Sequence, residues 1–378
     1  MTARPTMLIL SYSPIVGDAR VLKQVTRFVR DFDVTTLGYG ERPEGVVEHI
    51  SMPREIRYND LDGGLITRKR YRKVYWKLSA VRWSREALKR RKFDVIIAND
   101  VEAVPVAVKL RPRRGVLADL HEYSPRLHDD NPAWFERITP WFEWVVQRYV
   151  TRAQAWTTVS RGIVDEYERN FGFRAELVTN AAPFHDLQPK PTARTIRFVH
   201  SGACLRNRQL DEMVTAIQSA DADVTLDLYL TANDPGYLEE LRQQAAAGGR
   251  VVVHDPVPYA ALIPLLNDYD MGIHLLPPVN FNNKWALPNK LFDFLQARLG
   301  VLIGPSPEMA SYVTEYGTGS VADDFTADAA RRAIEALTSE IVDGFKRNAH
   351  KYAQELAGER QVEKWERIVQ RMMGKKSR

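Results

Sequence analysis

The stretch that decides the fold covers residues 95–121 and reads VIIANDVEAVPVAVKLRPRRGVLADLH. It contains two short apolar runs, Val95 to Ala98 and Val116 to Leu120, and polar residues follow each run. Runs this short and this rich in β-branched residues are typical of strands buried on both faces of a parallel sheet. Parallel neighbours need a crossover connection, and residues 101–110 supply a segment of suitable length. The stretch therefore predicts a β-α-β unit.

The same alternation recurs on both sides of this unit, which predicts an α/β fold built on parallel sheets. Asp18 is the expected N-cap of a helix whose Val21, Val25 and Phe28 share one face. Amphipathic stretches also predict helices over residues 211–217, 259–266, 291–299 and 329–337. The other predicted strands are residues 7–10, 34–37, 155–159, 175–178, 197–200, 226–230, 251–254, 271–275 and 301–303.

The length of the chain indicates two domains, since 378 residues exceed the roughly 150 residues of a typical domain by more than twofold. Residues 180–192 contain three prolines and little apolar periodicity, as expected of a linker. We expect an N-terminal domain over residues 1–185, a second domain over residues 193–345, and C-terminal helices over residues 346–378 that cross back to the first. Two Rossmann-like domains would then face one cleft, where ligands bind at the carboxyl ends of the strands.

The composition disfavours several classes of protein. The single cysteine, Cys204, excludes an intrachain disulfide and a multi-cysteine metal site, which indicates a reducing compartment. No apolar run approaches the ~18 residues of a membrane-spanning helix, and the N-terminal run is too short for a signal peptide. The GxGxxG and GxxxxGKS fingerprints are absent, which disfavours an NAD enzyme or an ATPase. We therefore expect a cytoplasmic protein.

The net charge of +5 is distributed unevenly, since residues 1–190 carry 32 Lys/Arg and 24 Asp/Glu whereas the remainder sums to −3. Residues 68–92, the basic segment, contain twelve basic residues and one acid, Glu86. Its apolar residues follow helical spacing and it includes Trp76 and Trp83. A basic amphipathic helix with aromatic side chains favours contact with an anionic membrane, and a solvated helix that covers the sheet is the alternative.

Three groups of residues at predicted strand ends are candidate ligand contacts. His121 can orient a hydroxyl group or bind a sugar oxygen, with a structural role as the alternative. Residues 202–208 place backbone N–H groups and two arginines where a phosphate can bind. Lys290 lies in the first turn of a predicted helix, where its charge is unfavourable unless an anion is present, and Asp293 can accept hydrogen bonds from a ribose diol.

These residues resemble the retaining glycosyltransferases of family four, which have the two-domain GT-B fold. Arg208, six residues after Gly202, matches a basic ligand of the donor diphosphate in that family. The resemblance covers nearly the whole chain. Its motifs are DARV at residues 18–21, DLHEYSP at 119–125, TVS at 158–160, NAAP at 180–183 and LPNKLFDF at 287–294.

The resemblance implies a nucleotide-diphospho-sugar donor and roles for individual residues. The diphosphate would lie against Arg208, Lys290 and the helix that begins near Pro288 and Asn289, close to Gly202. Asp293 would hold the ribose hydroxyls and the backbone near Val257 would border the base. His121 and the Gly17 loop would face the transferred sugar and a glycan or lipid-linked acceptor. Transfer would retain the anomeric configuration and need no metal or other cofactor, and we expect no nucleic-acid partner.

The chain departs from the family pattern at four positions. The earlier of two family glutamates is Trp285 here, and the later one is shortened to Asp293. Two family glycines align with Gln209 and Arg298. The loss of the first carboxylate leaves a non-catalytic protein that binds nucleotide sugars, or a regulatory one, as the alternative to an enzyme. A nucleic-acid binder using the basic segment is a third interpretation, although no recognised motif supports it.

Overall fold

The strands of the computed structural model, which describes residues 4–374, form two parallel sheets in two separate units. The N-terminal unit comprises the chain through Thr179, Asn280–Asn282 and the part from Gln361 onward. The C-terminal unit comprises Asn180–Val279 and Asn283–Arg360. The outermost residues of the predicted ranges, 1–3 and 375–378, lie outside the described residues.

The sheet of the N-terminal unit has the order β3-β2-β1-β4-β5-β6-β7, with every pair parallel. Its strands are β1 (Thr6–Pro14), β2 (Asp33–Tyr39), β3 (Glu48–Met52), β4 (Val95–Asn99), β5 (Gly115–Leu120), β6 (Ala155–Thr158) and β7 (Glu176–Leu177). The order reverses between β1 and β4. A crevice for ligands forms at such a switch point, outside the carboxyl ends of the strands.

Helices of the N-terminal unit connect these strands as crossover segments. They are α1 (Ala19–Phe28), α2 (Gly63–Thr67), α3 (Tyr71–Lys77), α4 (Ser79–Ala87), α5 (Val104–Leu110), α6 (Pro132–Arg148) and α7 (Arg161–Phe171). Asp18 caps α1 as predicted, because its side chain accepts hydrogen bonds from the N–H groups of Arg20 and Val21. Val21, Val25 and Phe28 are buried, so the predicted apolar face of α1 packs into the core.

The sheet of the C-terminal unit has the order β10-β9-β8-β11-β12-β13, again with parallel pairs. Its strands are β8 (Ile196–Ala203), β9 (Val224–Thr231), β10 (Val251–His254), β11 (Met271–His274), β12 (Gly300–Ile303) and β13 (Gly319–Val321). Here the order reverses between β8 and β11. The predicted α/β architecture of two Rossmann-like sheets is confirmed.

Helices also connect the strands of the second sheet, and one further helix ends the described chain. They are α8 (Leu210–Ser219), α9 (Pro235–Gly248), α10 (Tyr259–Leu266), α11 (Phe281–Lys284), α12 (Asn289–Gln296), α13 (Pro307–Tyr316), α14 (Ala327–Glu335), α15 (Ser339–Tyr352) and α16 (Gly358–Met372). Trp365, Ile368 and Val369 of α16 are buried in the core of the N-terminal unit. The two C-terminal helices therefore belong to different units: most of α16 is part of the N-terminal unit, and α15 is part of the C-terminal unit.

A glycine lets α12 approach the second sheet closely. A Cβ atom on Gly272 of β11 would lie 2.3 Å from the ring of Phe294, so any larger residue would force α12 away from the sheet. Leu291, Phe292 and Leu295 of the same helix are buried. This packing holds α12 closely against β11.

Two expectations about secondary structure need correction. The edge strands β3 and β13 were not predicted, because they are short and lack the continuous apolar runs of the central strands. The basic segment does not form one helix: Leu78, at ψ 132°, separates α3 from α4. The side chain of Asp60 accepts hydrogen bonds from the backbone N–H and the hydroxyl of Ser79, which starts a new helix after Leu78.

Residues 180–193, which include the predicted linker, contain neither helix nor strand. Within residues 4–374, no helix is both long and apolar enough to cross a bilayer.

Candidate functional site

The C-terminal unit gathers most of the predicted donor-binding residues near the start of α12 and the ends of β8 and β11. Pro288 is the N-cap residue of α12 and makes no side-chain capping hydrogen bond, and Asn289 is the first helical residue. The N-cap side chain therefore does not compete for the first-turn N–H groups at the positive end of the helix dipole. This arrangement suits an anion.

Lys290 points from this first turn toward β8. Its Nζ lies 3.3 Å from Nε2 of His200, and a Cβ atom on Gly202 would lie 3.0 Å from the same Nζ. Gly202 has φ +142°, a conformation that residues with a side chain rarely adopt. Burial and the nearby Arg208 lower the pKa of Lys290 to about 7, and Asp293 opposes the shift. An approaching anion would raise this pKa again.

The two arginines of residues 202–208 have different surroundings. Arg206 pairs with Glu240 of α9 at 2.6 Å and lies 3.5 Å from Asp234, the N-cap residue of that helix. Arg208 instead acts on Lys290, His200 and His274, whose pKa values burial lowers and its positive charge lowers further. Arg206 is therefore paired with acidic side chains, whereas Arg208 lies near Lys290.

Asp293 is buried one turn after Lys290, with 4% of its surface exposed. Its Oδ1 accepts a hydrogen bond of 2.9 Å from the hydroxyl of Tyr259 at the start of α10. A ligand diol would have to share or replace this tyrosine. Val257, predicted to border the base, lies two residues before Tyr259 in the loop between β10 and α10 and is half-buried.

The N-terminal unit holds His121 directly after β5. Its Nε2 lies 3.3 Å from Oδ2 of Asp119 and 3.2 Å from Oδ1 of Asn99, and its Nδ1 lies 3.5 Å from Oδ2 of Asp100. Burial lowers the pKa of His121, but the carboxylates of Asp100 and Asp119 overcome that effect and raise it to about 9. His121 is therefore an imidazolium at neutral pH.

A buried network holds His121 in place. The guanidinium of Arg20 donates hydrogen bonds of 2.8 and 2.6 Å to the two carboxylate oxygens of Asp119, and Gln24 Nε2 donates to Oδ2 at 2.6 Å. Burial alone would raise the pKa of Asp119, whereas Arg20 and His121 hold it well below its usual range. The ion pair between Arg20 and Asp119 joins the DARV and DLHEYSP motifs. This contact was not predicted, because the two motifs are far apart in the sequence.

Comparison with protein families decides the identity of this part of the chain. Residues 22–186 match the family model described as Glycosyltransferase Family 4. These residues belong to Glycosyltransferase Family 4. The family-four region contains His121 and Asp119, and the predicted resemblance is confirmed. A search of curated protein sequences finds no match to the chain.

Solved structures of glycosyltransferases share the fold of the whole chain. Sucrose-phosphate synthase from Thermosynechococcus elongatus is 13% identical, with a TM-score of 0.69 over 98% of this chain and 100% of that one. WaaG, a glycosyltransferase involved in lipopolysaccharide biosynthesis, is 12% identical, with a TM-score of 0.66 over 96% and 99%. Anabaena HepE, solved with UDP and glucose, is 14% identical, with a TM-score of 0.68 over 97% and 99%. The predicted GT-B fold is thereby confirmed.

The predicted site residues are divided between the two units of the chain. His121 and Gly17, which ends a short turn after β1, lie in the N-terminal unit within or next to the family-four region. The other predicted residues lie in the C-terminal unit: Gly202, Arg208, Val257, Pro288, Asn289, Lys290 and Asp293. Lys290 and Asp293 lie one turn apart on α12, and Gly202 of β8 lies close to Nζ of Lys290.

Sequence reasoning missed several polar residues close to these sites. Glu102 follows β4, and burial together with Asp100 raises its pKa to about 7. His200 and His274 stand near the ends of β8 and β11, on either side of the switch point in the second sheet. A histidine in an otherwise apolar strand was the available signal, but strand neighbours are not visible in a sequence.

Proposed function

We propose that this glycosyltransferase transfers a sugar from a nucleotide-diphospho-sugar to a glycan or a lipid-linked acceptor, with retention of the anomeric configuration. The observation that carries the proposal is the position of Lys290. Its ammonium group lies beside His200 and close to Gly202 near the end of β8, at the positive end of α12, where a diphosphate would supply the missing negative charge. Anabaena HepE, which has the same fold, has been solved with UDP-glucose.

In the proposed reaction the diphosphate is the leaving group. Negative charge builds up on it as the bond to the sugar breaks, and Lys290 and Arg208 stabilise that charge. The N–H groups of the first turn of α12 add to the stabilisation without moving. Asp293 and Tyr259 would bind the ribose, and the loop around Val257 would border the base.

The N-terminal unit would hold the acceptor side of the reaction. The imidazolium of His121, fixed between Asp100 and Asp119, offers hydrogen bonds to a sugar oxygen. Retention would follow from attack on the same face that the diphosphate leaves, with a diphosphate oxygen taking the acceptor proton. We propose that positioning and charge stabilisation are sufficient and that no metal is needed. Treatment with a chelator should then leave the rate unchanged.

We propose that the acceptor is presented at a membrane surface and that the protein docks peripherally, through the basic segment, on the inner face of the cell membrane. Arg70, Arg72 and Lys73 are exposed there. Trp76 is not a free anchor, because its ring packs on Tyr75 and its Nε1 donates to the hydroxyl of Tyr149. Charge would therefore provide most of the attraction.

Hydrolysis and transfer assays with UDP-, GDP- and dTDP-sugars test the proposed enzyme against a non-catalytic binding protein. We expect release of nucleoside diphosphate from one donor class, with the α-anomer of the product formed from an α-linked donor. Lys290→Ala should abolish most of this release. Lys351 is an exposed residue of α15, so the control variant Lys351→Ala should release nucleoside diphosphate at the wild-type rate. Tight binding of a nucleotide sugar without turnover, in the presence of a range of acceptors, would favour the non-catalytic alternative.

A further inference from the structure

Two buried histidines lie side by side at the switch point of the C-terminal sheet. His200 belongs to β8 and His274 is the last residue of β11, the two strands between which the order reverses. Their ring centroids are 5.5 Å apart, and the exposed fractions are 0% and 2%. Both lie close enough to Lys290 and Arg208 for those charges to lower their pKa values, after the larger effect of burial. Both imidazoles are therefore neutral.

Hydrogen bonding fixes the form of His200. Its Nδ1 lies 2.7 Å from the carbonyl oxygen of Ile273, which can only accept, so Nδ1 carries the proton. Nε2 then has a free lone pair, and this atom lies 3.3 Å from Nζ of Lys290. Lys290 donates one of its N–H groups to His200. The bond leaves the other N–H groups of Lys290 available to a ligand.

His274, unlike His200, lacks hydrogen-bond partners for its ring within the described part of the chain. Neither of its ring nitrogens has a hydrogen-bond partner among the residues that the structure describes. A neutral imidazole always carries one N–H, and a buried donor without a partner is unusual enough to need an explanation. The positive charges of Lys290 and Arg208 nearby make an anion the ligand that satisfies this donor at the lowest cost.

We propose that His274 donates a hydrogen bond to the diphosphate of the donor and that His200 is a positioning residue that aligns Lys290 for the same diphosphate. The proposal rests on the proposed function, since it assigns two further residues to the same site. The groups that face Lys290 are His200 from β8, His274 from β11, Arg208 from the turn before α8 and Asp293 from α12 itself. Only Asp293 is negative, so the cluster favours an added anion.

Inorganic pyrophosphate is the probe that tests His274, because it carries the diphosphate without a base or sugar. We expect His274→Leu to weaken pyrophosphate and UDP binding about tenfold in calorimetry, the usual effect of losing one hydrogen bond to a charged group. Uridine binding should not change. His274→Gln keeps an N–H donor and should bind pyrophosphate within about threefold of the wild-type affinity.

The outcomes separate this proposal from the proposed function. Pyrophosphate binding by the wild type together with equal binding by His274→Leu would overturn the role of His274 and leave the donor site intact. No binding of pyrophosphate or of any nucleoside diphosphate by the wild type would overturn the proposed function itself. Thermal unfolding of each variant checks that it is folded, and His274→Met serves as the apolar variant should His274→Leu not fold.

The role of His200 predicts a change in pH dependence rather than only a loss of affinity. With His200→Leu the ammonium of Lys290 loses an acceptor, so its charged form is less favoured and pyrophosphate affinity should begin to fall at a lower pH than in the wild type. His200→Gln offers a carbonyl oxygen and should restore the wild-type profile. Superimposable profiles for the wild type and the folded His200→Leu variant would overturn the positioning role.

Discussion

Lys290 and Arg208 are positively charged residues that approach each other in a partly buried site, where each disfavours the charge of the other. We expect Lys290→Ala and Arg208→Ala each to weaken the affinity for the preferred nucleoside diphosphate. Loss of a hydrogen bond to a charged group costs about 1.5 to 3 kcal/mol, or roughly ten- to a hundredfold in affinity. Calorimetry with UDP, GDP and dTDP measures the effect, and Lys351→Ala is the matched control. Unchanged binding in both variants would remove these residues from the donor site.

The lowered pKa of Lys290, about 7 without ligand, predicts how donor binding depends on pH. The charged lysine binds the diphosphate, so affinity should be greatest below pH 7 and decline as the pH rises above it. Binding at pH 8 should take up a proton, because the bound anion raises the pKa of Lys290. Calorimetry at pH 8 in buffers of different ionisation enthalpy measures this uptake. Lys290→Arg, which stays charged, should show neither the decline nor the uptake.

A substitution of His121 tests whether the N-terminal unit acts in turnover while the C-terminal unit binds the nucleotide. If it contacts the transferred sugar or the acceptor, His121→Ala should bind nucleoside diphosphate normally and lose most of its turnover. Rate and affinity measured on the same preparation separate the two effects. Normal turnover would assign His121 to a purely structural role.

A stability measurement provides the control for His121. Its folded pKa of about 9 exceeds the ordinary value of 6.5, so its ion pairs stabilise the fold fully below pH 6.5. That contribution is lost as the pH rises through 9. His121→Ala should therefore lower the free energy of unfolding at pH 6 more than at pH 9.5, and the turnover comparison belongs at a pH where both proteins are folded.

At the scale of elements, two residues that the resemblance aligns with glycines have left-handed backbone conformations. Gln209 has φ +49° before α8, and Arg298 has φ +64° after α12. Glycine adopts this conformation without strain, whereas a residue with a side chain rarely does. In this chain Arg298 is 1% exposed, and its guanidinium donates to the carbonyl oxygens of Gln296, at 2.6 Å, and His185. These bonds hold the end of α12 in its left-handed turn.

Arg298→Met should therefore destabilise the C-terminal unit. The substitution keeps much of the volume but leaves buried carbonyl groups without donors, at a cost of about 2 to 4 kcal/mol. Denaturant unfolding measures the loss, and Arg347→Met, at an exposed position on α15, should stay within about 0.5 kcal/mol of the wild type. Equal stability of the two variants would show that the buried network contributes little.

On the scale of the whole molecule, charge is concentrated in the first half of the sequence. The basic segment alone contributes +11, more than the net charge of the chain. Some of it is compensated in the fold, since Lys77 lies 3.3 Å from Asp62 and Arg91 pairs with Glu48. Arg70, Arg72 and Lys73 remain on the surface of α3 and its start. They are therefore the residues to change in a test of membrane docking.

We expect the wild type to sediment with anionic vesicles at low salt, and Arg70→Glu, Arg72→Glu and Lys73→Glu together to abolish that sedimentation. Each basic residue near an anionic surface adds about 1 kcal/mol of attraction, which added salt screens. The matched control reverses Arg194, Arg347 and Lys351, three exposed residues of the C-terminal unit. Nucleotide affinity should be unchanged in both triple variants. Failure of the wild type to sediment at low salt would make a soluble acceptor the better proposal.

The sequence by itself determined the two parallel sheets and the residues that end their central strands. Buried parallel strands require continuous apolar runs, and a polar residue after such a run must lie at the carboxyl edge of the sheet. That rule was enough to single out His121 and Gly202, whereas Lys290 was singled out by its positive charge in the first turn of a predicted helix. It failed for β3 and β13, because edge strands are exposed to solvent and do not need an apolar run.

Only the tertiary structure decided which polar groups meet. Arg206 and Arg208 are equivalent in the sequence, yet Glu240 of α9 neutralises the first, whereas the second acts on Lys290. His200 and His274 are 74 positions apart in the chain and become neighbours because β8 pairs with β11. Strand order depends on packing between distant segments, and charge depends on burial and on neighbours in space. Neither is written in the local pattern of residues, so the composition of the site came from the fold.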